Sequence, residues 1–175
     1  MHLDGARLWE AVAADAGSLR EYSECFDSVN LCFSKGLGAP IGSIAVGTHA
    51  FRERARWIRK SIGGGLRQSG VISAAARVAV QETFPEKLQA SHERAKEVAR
   101  MWKALGGQLS NPVETNMVWL DLAAAHTTLE ALIAVGAQFG LRFMTERLVV
   151  HYQICDEALV QLQRVMRRLL NAPLN

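Results

Sequence analysis

Lys35 lies in the run Ser34-Lys35-Gly36-Leu37-Gly38-Ala39-Pro40-Ile41-Gly42-Ser43, one amine among residues too small to shield it, directly after the apolar stretch Val29 to Phe33. Backbone and a ligand can approach closely there, and a lysine so placed can condense with a carbonyl. The same run also describes a surface lysine on a glycine turn. Upstream, His2-Leu3-Asp4-Gly5-Ala6-Arg7 sets a carboxylate at a strand end. An amine and a carboxylate in this order suit pyridoxal phosphate chemistry, in which a lysine forms a Schiff base and an acid keeps the pyridine nitrogen protonated. Asp4 would equally serve as a helix N-cap before a turn glycine.

Two arginines extend the set. In Gly63-Gly64-Gly65-Leu66-Arg67-Gln68 a glycine turn leads into a helix, and freed N–H groups beside a guanidinium make a phosphate or carboxylate site. Without the other motifs this is a flexible turn. Arg147 heads the apolar strand Leu148-Val149-Val150-His151, where either a structural salt bridge or a substrate carboxylate would satisfy its charge.

Positioning these groups calls for alternating elements. A strand end at His2 to Asp4 is followed by a helix from about Arg7 to Ala14, a strand over Val29 to Phe33, and another over Ile41 to Val46. Thr48 can cap a helix through Arg52 to Lys60, which the three glycines end at a cost of about 1 kcal/mol each relative to Ala. Gln68 to Glu82, rich in small apolar residues, suits a buried helix, and Glu86 to Leu105 a charged linking helix stopped by Gly106-Gly107. Beyond it, Asn116 to Leu122 and Leu148 to Ile154 read as strands, Thr127 to Phe139 and Asp156 to Leu170 as helices. The expected organisation is residues 1–107 as an α/β layer with its linking helix, and 108–175 as a small C-terminal α+β lobe.

Composition excludes several classes. The 175 residues carry 20 Lys and Arg against 17 Asp and Glu, with 49% hydrophobic and 21% charged residues, an ordinary globular balance. Apolar stretches stay far below the roughly 20 residues that span a membrane, and Met1-His2-Leu3-Asp4 does not open a secretory signal. Cys25, Cys32 and Cys155 form neither a disulfide framework nor a metal motif, so no metal is expected and a reducing, cytoplasmic compartment fits best. Arg52, Arg54, Arg56, Arg59 and Lys60 crowd one segment, but a net charge of +3 favours a solvated helix face over a nucleic-acid surface. His92 and His126, in helical contexts, read as packing or surface residues.

HLDGAR, SKGLGAPIGS, GGGLRQSG and RLVVH, in this order, resemble the low-specificity L-threonine aldolases, a branch of the fold-type-I pyridoxal phosphate enzymes that includes the aromatic amino acid β-eliminating lyases. The resemblance implies the C-terminal part of a fold-type-I transferase-like large domain, a mixed sheet with helices, followed by the small lobe. It implies pyridoxal 5'-phosphate as cofactor and cleavage of L-threonine or L-allo-threonine to glycine and acetaldehyde. Lys35 would form the Schiff base, Asp4 would pair with the pyridinium nitrogen, Arg7 would contact cofactor or substrate carboxylate, Arg67 would help hold the phosphate, and Arg147 would clamp the α-carboxylate. His2 would only line the pocket. A homo-oligomer, dimer or tetramer, is expected. The family's chains continue upstream of HLDGAR with the phosphate cup and a ring-stacking histidine, and Val150 stands where the family usually has Thr. A shortened or degenerate copy is therefore the expectation, and an inactive subunit pairing with a full-length homologue the alternative.

Overall fold

In the computed structural model, which describes residues 1–170, β1 (His2–Gly5) and β2 (Ser28–Cys32) run parallel, with β3 (Ser43–Gly47) antiparallel on the far side of β2. The result is a mixed three-stranded sheet in the order β1-β2-β3. Alternation along the strands gives it two unlike faces. Leu3, Val29 and Leu31 pack with Leu8, Trp9, Leu19 and Tyr22 of α1 (Leu8–Ala13) and α2 (Leu19–Glu24). Ser28, Asn30 and Cys32 alternate with the apolar set on β2, and His2 Nδ1 lies 2.8 Å from Ser28 Oγ across the opposite, polar face.

Helix α2 starts at a capping box: Ser18 Oγ accepts the Glu21 N–H at 3.2 Å, and Glu21 Oε2 accepts the Ser18 N–H at 2.7 Å. Thr48 caps α3 (His49–Ser61) by accepting the Phe51 N–H, as its position in sequence predicts. After α3 come α4 (Ser69–Thr83) and α5 (Glu86–Ala104). The sequence places α4 in the core, yet only Ala76 and Thr83 are buried, and Val71 and Val78 stand exposed. Small apolar residues make a helix that can be covered; they do not supply the cover.

The chain divides into two compact units, Met1–Gln89 and a second from Ala90 onward, with the division inside α5. Leu88 of the first turn of α5 packs with Ala13 and Leu37 in the first unit. Later turns supply Ala95, Val98, Ala99 and Trp102 to the second core.

That second core lies between α5, α6 (Leu129–Gln138), α7 (Asp156–Leu169) and an antiparallel sheet of order β4-β5-β6, made of Gln108–Leu109, Met117–Asp121 and Arg147–Val149. Trp102 is fully buried and its Nε1 donates to the Gln108 carbonyl at 2.6 Å. A Cβ at Gly107 would collide with that indole, so the helix stop is also a packing requirement. The strand expected through Ile154 ends at Val149: the Val150 N–H still donates to the Asn116 carbonyl at 2.8 Å, but the Val150 carbonyl accepts the Asn116 side-chain amide at 2.9 Å instead of a backbone N–H, and the chain then turns, Ile154 N–H donating to the His151 carbonyl. His126 is not helical: it sits in the turn before the Thr128 cap with φ +51°. His92 is a buried residue of α5.

Candidate active site

Parallel strands deliver their C-terminal ends to one edge of a sheet, and the loops there are where open α/β sheets bind ligands. Asp4 pairs in register with Asn30, and Lys35 follows the last residue of β2 by three. Asp4 and Lys35 therefore emerge at the same edge of the β1–β2 pair. The Asp4 side chain belongs to the polar face, two residues from His2 on β1. Its Oδ1 accepts the Ala6 N–H at 3.2 Å, an Asx turn that reverses the chain into α1. Asp4 thus makes a turn contact and caps nothing; the N-cap position is Arg7, whose carbonyl accepts the Glu10 N–H at 3.0 Å. Arg7 is half-buried beside the same strand end and has no ion pair among the described residues.

The lysine loop is folded back on itself. Phe33 N–H donates to the Gly42 carbonyl, Ala39 N–H to Phe33, and Gly38 N–H to Lys35 itself at 2.9 Å, with Gly38 at φ +73°. Leu37, 1% exposed, anchors the loop against Ala13 and Leu88. Lys35 is left at the tip, exposed, with no hydrogen bond or ion pair from its side chain among the described residues. Gly36 is buried next to it, and a Cβ there would stand 2.9 Å from Glu10 Cδ and 3.1 Å from Leu88 Cδ2.

Cys32 is a member of this edge that the sequence reading did not single out. Period-two alternation from Ser28 puts it on the Asp4 face, and its Sγ lies 3.4 Å from Ser34 Oγ. Burial pushes the thiol up, but the Ser34 hydroxyl, the Ser34 backbone, the Lys35 charge and the Lys35 backbone outweigh it. The net effect holds Cys32 below the ordinary thiol range.

Arg67 lies on a different element of the first unit, exposed, at the end of the glycine turn and one residue before the Gln68 cap of α4. Gly63 takes φ +84° in that turn. No side chain caps α4; the Val71 N–H donates to the Gln68 carbonyl, and the N–H groups of Ser69, two residues after Arg67, and of Gly70 are left without an intrahelical acceptor. Arg147 belongs to the second unit. It opens β6 opposite Trp119 and lines a cavity of about 480 Å³ with Arg142, Thr145 and apolar residues of β6 and α7. The structure thus brings Asp4, Arg7 and Lys35 to one edge, and sets Arg67 and Arg147 on separate supports.

These positions can be set against known proteins. The beta-eliminating lyase family model matches residues 1–125. Aldolase vrtJ of Penicillium aethiopicum is 66% identical over 171 residues, covering 97% of this chain and 44% of that protein. The low-specificity L-threonine aldolase of Eremothecium gossypii is 40% identical over 166 residues, 95% of this chain and 44% of that protein. A crystal structure from Exiguobacterium sp., described as an aromatic amino acid beta-eliminating lyase/threonine aldolase, superposes with a TM-score of 0.75 at 26% identity over 96% of this chain and 52% of its own. The chain spans less than half the length of these curated relatives, and its mixed sheet with helices is the matching part of the threonine aldolase fold. A family match over residues 1–125, a range that includes Asp4, Lys35 and Arg67, means that this chain belongs to the beta-eliminating lyase family.

Proposed function

We propose that the chain carries the lysine-bearing part of a pyridoxal 5'-phosphate-dependent aldolase that cleaves L-threonine or L-allo-threonine to glycine and acetaldehyde. The observation that carries this reading is the shared edge: a carboxylate at the end of β1 and an unpaired amine in the loop after β2 stand at the same edge of two adjacent parallel strands. The donor set fits the cofactor. Asp4 Oδ2 has no hydrogen bond among the described residues, and the strand positions beside it on the polar face are small or polar: Ser28, Asn30, Cys32, Ser43 and Ala45. His2, at the far end of β1, carries the bulky side chain of that face.

Pyridoxal phosphate, when bound, supplies a carbonyl for an amine to capture and a ring that takes up the electron pair of the broken Cα–Cβ bond. Lys35 Nζ is the capturing amine. Asp4 holds a proton on the ring nitrogen, a charge-assisted hydrogen bond that keeps the ring electron-poor. Arg67 and the open N–H groups at the start of α4 hold the phosphate. Arg7, at the same strand end as Asp4, orients the amino acid carboxylate through paired N–H donors, so that the bond to be broken is held in one geometry; Arg147, in the second unit, offers a carboxylate the same kind of donors.

Purified protein incubated with pyridoxal phosphate and L-threonine is expected to release acetaldehyde, measured through a coupled alcohol dehydrogenase, and Lys35→Ala is expected to abolish the release. Equal release from Lys35→Ala, or none from the unmodified chain at saturating cofactor, contradicts the reading. The second reading, an inactive subunit pairing with a full-length homologue, is favoured by the exposed apolar residues Ile44, Val46, Trp57, Ile58, Ile62 and Val71. Stable co-purification with such a homologue, without acetaldehyde release by the chain alone, would select it.

A further inference from the structure

Arg147 is held in place without spending the groups a carboxylate needs. It sits directly opposite Trp119 in the antiparallel β5–β6 register, and its guanidinium carbon lies 5.4 Å from the centre of the Trp119 ring. The neighbouring pair, Val118 and Leu148, is buried, so alternation puts Trp119 and Arg147 on the other face of the ladder. The backbone is fixed too: Thr145 Oγ1 accepts the Arg147 N–H at 3.1 Å and donates to the Arg147 carbonyl at 3.3 Å.

An aspartate or glutamate partner would fix the guanidinium by occupying its N–H donors and cancelling its charge. An aromatic face attracts the cation and takes none of the five donors. Among the described residues no carboxylate pairs with Arg147, and the cavity that it lines, about 480 Å³, carries Arg142 but no acid in its wall. Charge and donors are therefore both left available to a ligand.

We propose that Trp119 is a positioning residue that presents the Arg147 guanidinium to an amino acid carboxylate. The choice of ligand rests on the function proposed above; the holding of the guanidinium does not. Loss of the ring is expected to weaken carboxylate binding about two- to fivefold, the size of an exposed cation–π contact.

The test uses the isotope-labelled chain without pyridoxal phosphate, and glycine as the probe. In the unmodified protein the Arg147 Nε–H resonance is expected upfield of the other arginines, shielded by the ring, and to move as glycine is added. Trp119→Leu should lose the upfield displacement and raise the Kd for glycine about two- to fivefold; Trp119→Phe should keep the displacement and bind near the original Kd. The proposal is overturned if Arg147 is not displaced or does not respond to glycine, if Trp119→Leu binds glycine unchanged, or if Trp119→Phe is as weak as Trp119→Leu, which would make the ring a packing element only. Because no cofactor enters this titration, failure to load pyridoxal phosphate would count against the proposed function alone.

Discussion

Removing the Lys35 charge should alter Cys32 as well as any carbonyl chemistry, because the ammonium is one of the groups that favour the Cys32 thiolate. In Lys35→Ala the thiol should titrate at higher pH, so iodoacetamide labelling of Cys32 should rise at higher pH than in the unmodified chain. An unchanged labelling profile would mean that the amine does not reach the thiol. Gly36 gives a second prediction. Gly36→Ala puts a methyl against buried Glu10 and Leu88 and should lower stability by about 1–3 kcal/mol in urea unfolding, with the Lys35 loop displaced. The run of small residues around Lys35 was legible in sequence as close approach. What approaches closely was not, since Glu10 and Leu88 are distant along the chain. The same limit hid Trp119: only a strand register, which the sequence does not print, sets it opposite Arg147.

Elements with a local signal were readable and those set by tertiary contact were not. Thr48 caps the helix that the sequence places after it, and the helix expected from Thr127 begins at Leu129 with Thr128 as its cap. Helix α2 was missed although Ser18 and Glu21 spell a capping box, because six residues are too few to repeat the Leu19 and Tyr22 spacing that packs on the sheet. The β6 strand was drawn too long for the opposite reason: Val150 is buried and apolar, but its carbonyl is taken by the Asn116 side-chain amide, which ends the backbone ladder at Val149. The α2 cap makes an acid-dependent prediction. Hydrogen bonds from the Ser18 hydroxyl and then the Ser18 backbone hold Glu21 below the ordinary glutamate range. A depressed folded-state pKa adds stability above the unfolded value and loses it as pH falls through the folded one. Ser18→Ala should therefore cost about 1 kcal/mol near neutral pH. The difference from the unmodified chain should shrink on acidification below the ordinary glutamate range, and a pH-independent difference in urea unfolding would contradict the assignment.

At the scale of the molecule, the two units differ in how completely they are covered. The core of the second holds Trp102, Val118, Leu132, Val165 and Met166 at 0% exposure. In the first, all five residues of β3 are exposed and α3 buries none of its thirteen. An open strand edge beside exposed Ile44, Val46 and Trp57 is a surface that seeks a partner. Sedimentation at increasing concentration should show species heavier than the 19.2 kDa chain; a monomer throughout would mean that this face is tolerated bare. Whether the assembled or the single chain does chemistry comes back to one amine. The most direct measurement is borohydride reduction of the protein after incubation with pyridoxal phosphate, followed by peptide mass mapping. The account predicts one stable pyridoxyl-phosphate adduct, on Lys35, and much weaker cofactor retention in Asp4→Asn. An adduct spread over the exposed lysines, or none on Lys35, would contradict it.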